Sequence, residues 1–167
     1  MSYVHRMASM TDPNDALLSF QEVLPSGILQ LHNCELDADL RFHRDEPAPG
    51  VQRLTYVYTE GETVTALAMF VNVEPFQGRP CFMVGYAVPP AFRGRGLAKA
   101  VVRSALAEIR NGFGRARILP IYVEAVVAEP NLASRNVAEA LISQTPTPIT
   151  DEISGQPALQ YLLKLEP

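Results

Sequence analysis

The stretch Val84 to Val102, VGYAVPPAFRGRGLAKAVV, sets two glycines and two arginines between an apolar run and a helical pattern. Where a strand enters a helix through glycines, the first helical N–H groups lack intrahelical partners and the positive end of the helix dipole stands behind them. Such a turn suits an anion. Gly94 and Gly96 permit left-handed backbone and close approach, while Arg93 and Arg95 add charge-assisted donors that match phosphate oxygens. The expected chemistry is binding of a phosphate-bearing ligand; the plainer reading is a glycine turn with solvated arginines.

Two nucleotide motifs fail here. A P-loop needs a hydroxyl residue after its lysine, and Lys99 is followed by Ala100. A dinucleotide fingerprint needs a third glycine where Lys99 stands and an acidic residue about 20 positions on, where Phe113 to Ile118 offer none.

The signature Q/R-x-x-G-x-G/A is met by Arg93, Gly96 and Ala98, and with the preceding VGYAVPPAFRG it resembles the GNAT superfamily of acyl-CoA-dependent N-acyltransferases. A second block, VEAVVAEPNLASRNVAEALI, is similar to the strand and helix that follow in that family, especially in the branch of ribosomal-protein N-terminal acetyltransferases, through the N-x-x-S pair Asn131 and Ser134. The two blocks span Cys81 to Ile142, and the first half of the chain fits the fold in outline.

The resemblance implies acetyl-CoA as acyl donor. Its pyrophosphate would be wrapped by Arg93, Gly94, Arg95, Gly96, Leu97 and Ala98, and its pantetheine held by the main chain of Tyr86, Ala87 and Val88 with Asn131. Ser134 would stand near the thioester sulfur. The acetyl group would pass by direct attack to a primary amine, on a small molecule or a peptide N-terminus. An acyl-CoA-binding sensor or interaction module without catalysis is the alternative. Homodimers are common in the family, although no exposed apolar stripe marks such an interface in the sequence.

Direct attack requires a base, a donor for the oxyanion and an acid for the leaving thiolate. Main-chain N–H groups around Tyr86 to Val88 suit the oxyanion. The glutamate that many relatives carry early in this strand is missing, because the positions read Cys81, Phe82, Met83 and Val84. Glu124 and Glu74 are the substitute bases. Relatives that use a tyrosine as acid carry it where this chain has Ala138, which leaves Ser134, with Tyr86 behind it. The Gly-Phe that often ends the same helix is replaced by Ile142-Ser143.

These residues need a frame. Asp12 and Pro13 cap a helix that carries Leu17, Phe20 and Leu24 on one face and stops at Pro25 and Gly27. Ile28 to Gly50 keeps no steady period and is read as a short strand or two with a Pro-rich turn. RLTYVYTEGETVTALAMFVNV is a β-hairpin around Glu60-Gly61, and the PFQGRP turn leads to a strand over Cys81–Val88. Leu97, Val101, Ala105 and Ile109 make one face of an amphipathic helix, with Lys99, Arg103 and Arg110 opposite, and NGFGRARILP is expected to break it. IYVEAVV reads as a buried strand, EPNLASRNVAEALI as a helix with Val137, Leu141 and Ile142 inward, and ALQYLLKL as a strand; residues 145–157 read as a loop. The fold class is α/β: one domain over residues 1–167, GNAT-like, with a mixed, mostly antiparallel sheet flanked by helices.

Composition narrows the rest. With 47% hydrophobic and 19% charged residues and a net charge of −4 over 167 residues, the chain has ordinary globular usage and no surplus of positive charge for nucleic acid. No run reaches the roughly 20 apolar residues of a membrane span, and MSYVHRMASMTDP has no signal-peptide core, so a cytoplasmic location is expected. His5, His32, His43, Cys34 and Cys81 have no metal-ligand spacing, so no metal is expected. The acidic residues Glu35, Asp37, Asp39, Asp45, Glu46, Asp151 and Glu152 would suit a cationic amine or simply make a solvated surface.

Overall fold

The computed structural model describes residues 12–167. The N-terminal segment, with His5 and the stretch considered for a signal core, lies outside the described residues. Asp12 caps helix α1 (Pro13–Val23): its carboxylate accepts from the N–H of Asn14 and Asp15, and Pro13 fills a position whose N–H would be unpaired anyway. A single 3-10 turn follows and ends at Gly27, whose φ of 74° the chain reversal requires.

Eight strands form one sheet: β1 (His32–Asn33), β2 (Arg41–Ala48), β3 (Val51–Glu60), β4 (Thr63–Phe76), β5 (Arg79–Ala87), β6 (Ile121–Ala128), β7 (Thr147–Thr150) and β8 (Pro157–Leu165). The order is β1-β2-β3-β4-β5-β6-β8-β7, with β5–β6 the one parallel pair among them. That pair is parallel because helix α2 (Leu97–Arg115) carries the chain back across the sheet between them. Helix α3 (Leu132–Leu141) follows β6.

Strand alternation divides the apolar residues between two faces. Phe70, Phe82, Val84, Ile121, Val123, Ala125, Val127 and Tyr161 join Val101, Val102, Ala105 and Ile109 of α2 and Val137 and Ala138 of α3 in the main core. Leu67, Met69, Val71 and Ala87 point the other way and bury Leu17 and Phe20 of α1. No described helix is long and apolar enough to cross a membrane.

Two expectations need correction. Helix α2 does not break at Asn111-Gly112; it runs 19 residues, to Arg115. Each glycine in a helix costs about 1 kcal/mol relative to alanine. Phe113 offsets much of the cost of Gly112 and Gly114 by packing edge-on against Phe82, with ring centroids 5.5 Å apart, since burying an aromatic ring is worth about 2 kcal/mol. The 145–157 stretch is also not all loop, because β7 pairs with β8. Pro146 and Pro148 obscure that strand in the sequence, yet an edge strand tolerates a missing N–H on its outer side.

Candidate active site

Strands β5 and β6 pair over three positions, Cys81 with Tyr122, Phe82 with Val123 and Met83 with Glu124, and then part. Both continue, β5 to Ala87 and β6 to Ala128, so no β6 residue pairs with Val84 to Ala87. The closed end is bolted: Arg79 donates from Nε to the Pro120 carbonyl at 2.9 Å, and Tyr122 donates to Gln77 at 3.0 Å. The parting therefore opens in one direction only, toward α2 and α3.

A cleft of about 630 Å³ fills that opening, within the range of small-molecule sites. Tyr86, Ala87, Val88, Arg93, Gly94, Gly96, Leu97, Ala98, Asn131 and Ser134 all line it. Arg95 does not: its guanidinium stacks over the Phe92 ring at 5.3 Å, a cation–π contact that turns it along the loop. Arg93 lines the cleft but spends its Nε on the Val88 carbonyl at 3.0 Å, which fixes the turn.

Gly94 and Gly96 have φ of 77° and 73°, and a Cβ built on either meets no protein atom within 4 Å. Backbone conformation, rather than protein packing, calls for glycine at both. Gly96 is the N-cap of α2 and brings no side-chain cap, so the first N–H groups of a 19-residue helix face outward unanswered by any side chain. The electrostatics are those of an anion cradle.

On the opposite wall, Asn131 caps α3, its Oδ1 accepting from the Ser134 N–H at 3.1 Å. Ser134 thus sits in the first turn of α3 with its own N–H satisfied. Tyr86 donates its hydroxyl to the Ser134 carbonyl at 2.6 Å, tying the end of β5 to that turn. Burial pushes its phenol pKa upward, so the hydroxyl keeps its proton at neutral pH. With that proton committed to a carbonyl, Tyr86 is better placed to hold the cleft's shape than to protonate a leaving group.

Glu124 occupies the last paired position of β6, where the strands begin to part. It is 1% exposed, and its Oε2 accepts from Gln160 Nε2 at 3.0 Å. Alternation puts Ile121, Val123, Ala125 and Val127 in the α2–α3 core, so Glu124 projects to the face that α1 covers. It does not line the cleft. Glu74 is elsewhere altogether: it is exposed near the β4–β5 hairpin, whereas Tyr86 pairs with Ala68, six strand residues and about 20 Å away.

Five of the seven acidic residues considered for a cationic amine are engaged locally. Asp45 pairs with Arg53, Glu35 with Arg115, Asp37 accepts from Tyr58, Glu46 from the Gly50 N–H, and Asp151 caps its own turn. The sequence reading also missed lining residues. Lys99, assigned to the solvent face of α2, lines the cleft from the helix's first turn; Asn136 of α3 and Asn14 of α1 line it too. Lys99 had a signal in its place three residues after Gly96, while Asn14 had none, since only folding brings α1 there.

A family model described as acetyltransferase (GNAT) family matches residues 20–142. The chain belongs to the GNAT acetyltransferase family. The GNAT fold is also found in solved structures similar to this one. An acetyltransferase of the GNAT family from Streptococcus pneumoniae aligns with a TM-score of 0.53 at 10% identity, over 68% of this chain and 66% of that one. The yncA protein of Salmonella typhimurium, solved with its cofactor acetyl-CoA, aligns with a TM-score of 0.54 at 22% identity, over 68% and 65%. A ribosomal-protein-alanine N-acetyltransferase from Brucella melitensis aligns at 0.50 and 17% identity, over 68% and 69%. The aligned part thus spans just under two thirds of the first two proteins. A search of curated proteins by sequence finds no match.

Proposed function

We propose that residues 1–167 act as one cytoplasmic domain that moves an acetyl group from acetyl-CoA to a primary amine, on a small molecule or a peptide N-terminus, by direct attack. The observation that carries this reading is the uncapped start of α2, with Gly94 and Gly96 in left-handed backbone, opening onto strands that part after Met83 and Glu124. An outward N–H array suits a diphosphate, and unpaired strand edges suit the amide-bearing pantetheine arm.

Acetyl-CoA, when bound, supplies an activated acetyl thioester. The main chain from Arg93 to Ala98, with Lys99 beside it, would hold the pyrophosphate, and the β6-facing edge of Tyr86 to Val88 with Asn131 would hold the arm. N–H groups on that edge stabilise negative charge on a carbonyl oxygen. Glu124, on the α1 face at the point of parting, takes the proton of an incoming amine, directly or through a water. Ser134 is the hydroxyl nearest the leaving sulfur in this scheme. The amine would approach from the α1 face while the donor lies on the α2–α3 face, with the parted strands as the passage.

A second reading, an acyl-CoA-binding module without catalysis, is favoured by the absence of a carboxylate from the cleft lining itself. One assay separates the two: incubate the protein with acetyl-CoA and a panel of amines and peptide N-termini and follow free thiol. Thiol release with an acceptor supports the enzyme. CoA binding with no release for any acceptor favours the module, and failure to bind CoA rejects both.

A further inference from the structure

A second cavity, of about 390 Å³, lies against the C-terminal third of α2. Gly112 on its wall is 16 residues from Gly96, about 24 Å along the helix, so the cavity is remote from the acetyl-transfer cleft. Its floor includes Tyr56, which is 5% exposed and packs its ring against Phe42 and Phe70, with centroids 5.7 and 5.8 Å apart. Among the described residues the Tyr56 hydroxyl makes no hydrogen bond, and it is not one of the fully buried unpartnered atoms, so it opens onto the cavity and is free to pair with a polar group placed there.

Gly112 is the second observation. It lies inside a helix without left-handed backbone, and a Cβ built on it meets nothing within 4 Å. Gly114 differs, because its Cβ would stand 3.4 Å from Leu119 Cδ1. Neither protein packing nor backbone geometry requires a glycine at 112. What the missing side chain preserves is the cavity.

The walls specify an occupant. Phe42, Tyr56 and Phe113 present aromatic rings, and the carboxylates of Glu35 and Glu108 line the same space. Glu108 is 9% exposed; main-chain N–H groups of Glu35, Leu36 and Asp37 donate to it, and among the described residues no cation pairs with it. Glu35 accepts from Asn111 Nδ2 at 2.9 Å and pairs with Arg115 at 2.8 Å, so its charge is already answered and Glu108 is the carboxylate left for a cation. Burial first, then the charges of Glu108 and Asp37, push the Cys34 thiol on this wall up to about 12, so it stays a neutral thiol at neutral pH.

We propose that this cavity is a second small-ligand site, separate from acetyl transfer, for a compact aromatic amine. The ring sits among Phe42, Tyr56 and Phe113, and the ammonium group meets the Glu108 carboxylate and donates to the Tyr56 hydroxyl oxygen. Anionic aromatics are disfavoured by that carboxylate.

Benzylamine, titrated into the full chain and followed by backbone amide NMR, tests this, with phenylacetate and cyclohexylamine as controls. The expected result is shifts at residues 32–35 and 109–116, with benzylamine at least about tenfold tighter than either control. Tyr56→Phe should weaken binding about tenfold. Gly112→Leu should abolish binding while the melting temperature holds or rises, which separates a filled cavity from a lost fold. Absence of benzylamine shifts, shifts confined to residues 86–98 and 131–137, equal binding of phenylacetate, or unchanged binding in Gly112→Leu would overturn the proposal.

Discussion

Glu108 and Glu124 are both buried carboxylates, 9% and 1% exposed, and they are held by opposite means. Glu108 on α2 is gripped by three successive main-chain N–H groups, at 3.1, 2.5 and 3.0 Å, which lock the chain from Glu35 to Asp37 onto the helix. Tyr58 reinforces the lock with a hydroxyl placed between Asp37 at 2.6 Å and Ser104 at 2.8 Å. Glu124 stands where two strands separate, and the donors to it include a side-chain amide, that of Gln160. Burial is common to both carboxylates; the proposed role of Glu124 as base rests on its place where the strands part.

The largest effect expected from this contrast is on Glu124→Gln, which removes the proposed base while keeping size and burial. The acetyl-transfer rate should fall by about 10²- to 10⁴-fold, the usual worth of a general base, with CoA affinity unchanged and Tm moved by only a few degrees. A rate within threefold of the parent would show that Glu124 is as structural as Glu108. The converse change, Glu108→Ala, orphans three N–H groups at once and should cost about 3 kcal/mol in chemical denaturation with no specific loss of CoA binding. If it lowered CoA affinity instead, the two ends of α2 would not be independent.

Next comes Gly96→Asp, which places a carboxylate at the uncapped start of α2. CoA affinity should drop at least about tenfold by calorimetry, while circular dichroism reports an intact fold. Unchanged affinity would remove the anion cradle. The smallest change is Tyr58→Phe, worth about 1 kcal/mol near neutral pH. Its pH dependence has two limbs. The Tyr58 hydroxyl holds the Asp37 carboxyl below its ordinary value, so this stabilisation is present above about pH 4 and fades as Asp37 protonates in acid. Burial first, and then the Asp37 hydrogen bond, raise Tyr58 to about 12, so its contribution is complete below pH ~10 and is lost as pH climbs toward that value. Denaturation of parent and variant across pH should therefore converge at both extremes; a constant gap would show that the bond does not couple the two titrations.

The glycine turn was legible because its parts are neighbours in the chain: Gly94, Gly96 and the start of α2 need nothing distant to form. The cap of α1 was legible for the same reason, Asp12 being two and three residues from its partners Asn14 and Asp15. The stacking of Arg95 on Phe92 was not legible, because composition cannot tell a guanidinium aimed outward from one laid on a neighbouring ring. Lys99 misled because helical periodicity assigns a residue to a face without saying that the first turn of that face borders a cleft. The continuation of α2 past Gly112 was hidden, since local propensity argues for a stop and the ring that offsets much of it, Phe82, is on another element.

By itself, then, the sequence determined the α/β class, the cap of α1, the hairpin, the glycine turn and the family to which the chain belongs, all of which rest on interactions within a few residues or on motif order. Tertiary structure alone decided that β5 and β6 part after Met83 and Glu124, that Glu124 faces α1 while Ser134 faces the cleft, and that Glu108 serves a loop more than 70 residues before it. Those outcomes depend on which strand edges find partners and which buried charges find donors, and such pairings are settled only when distant segments compete for the same space.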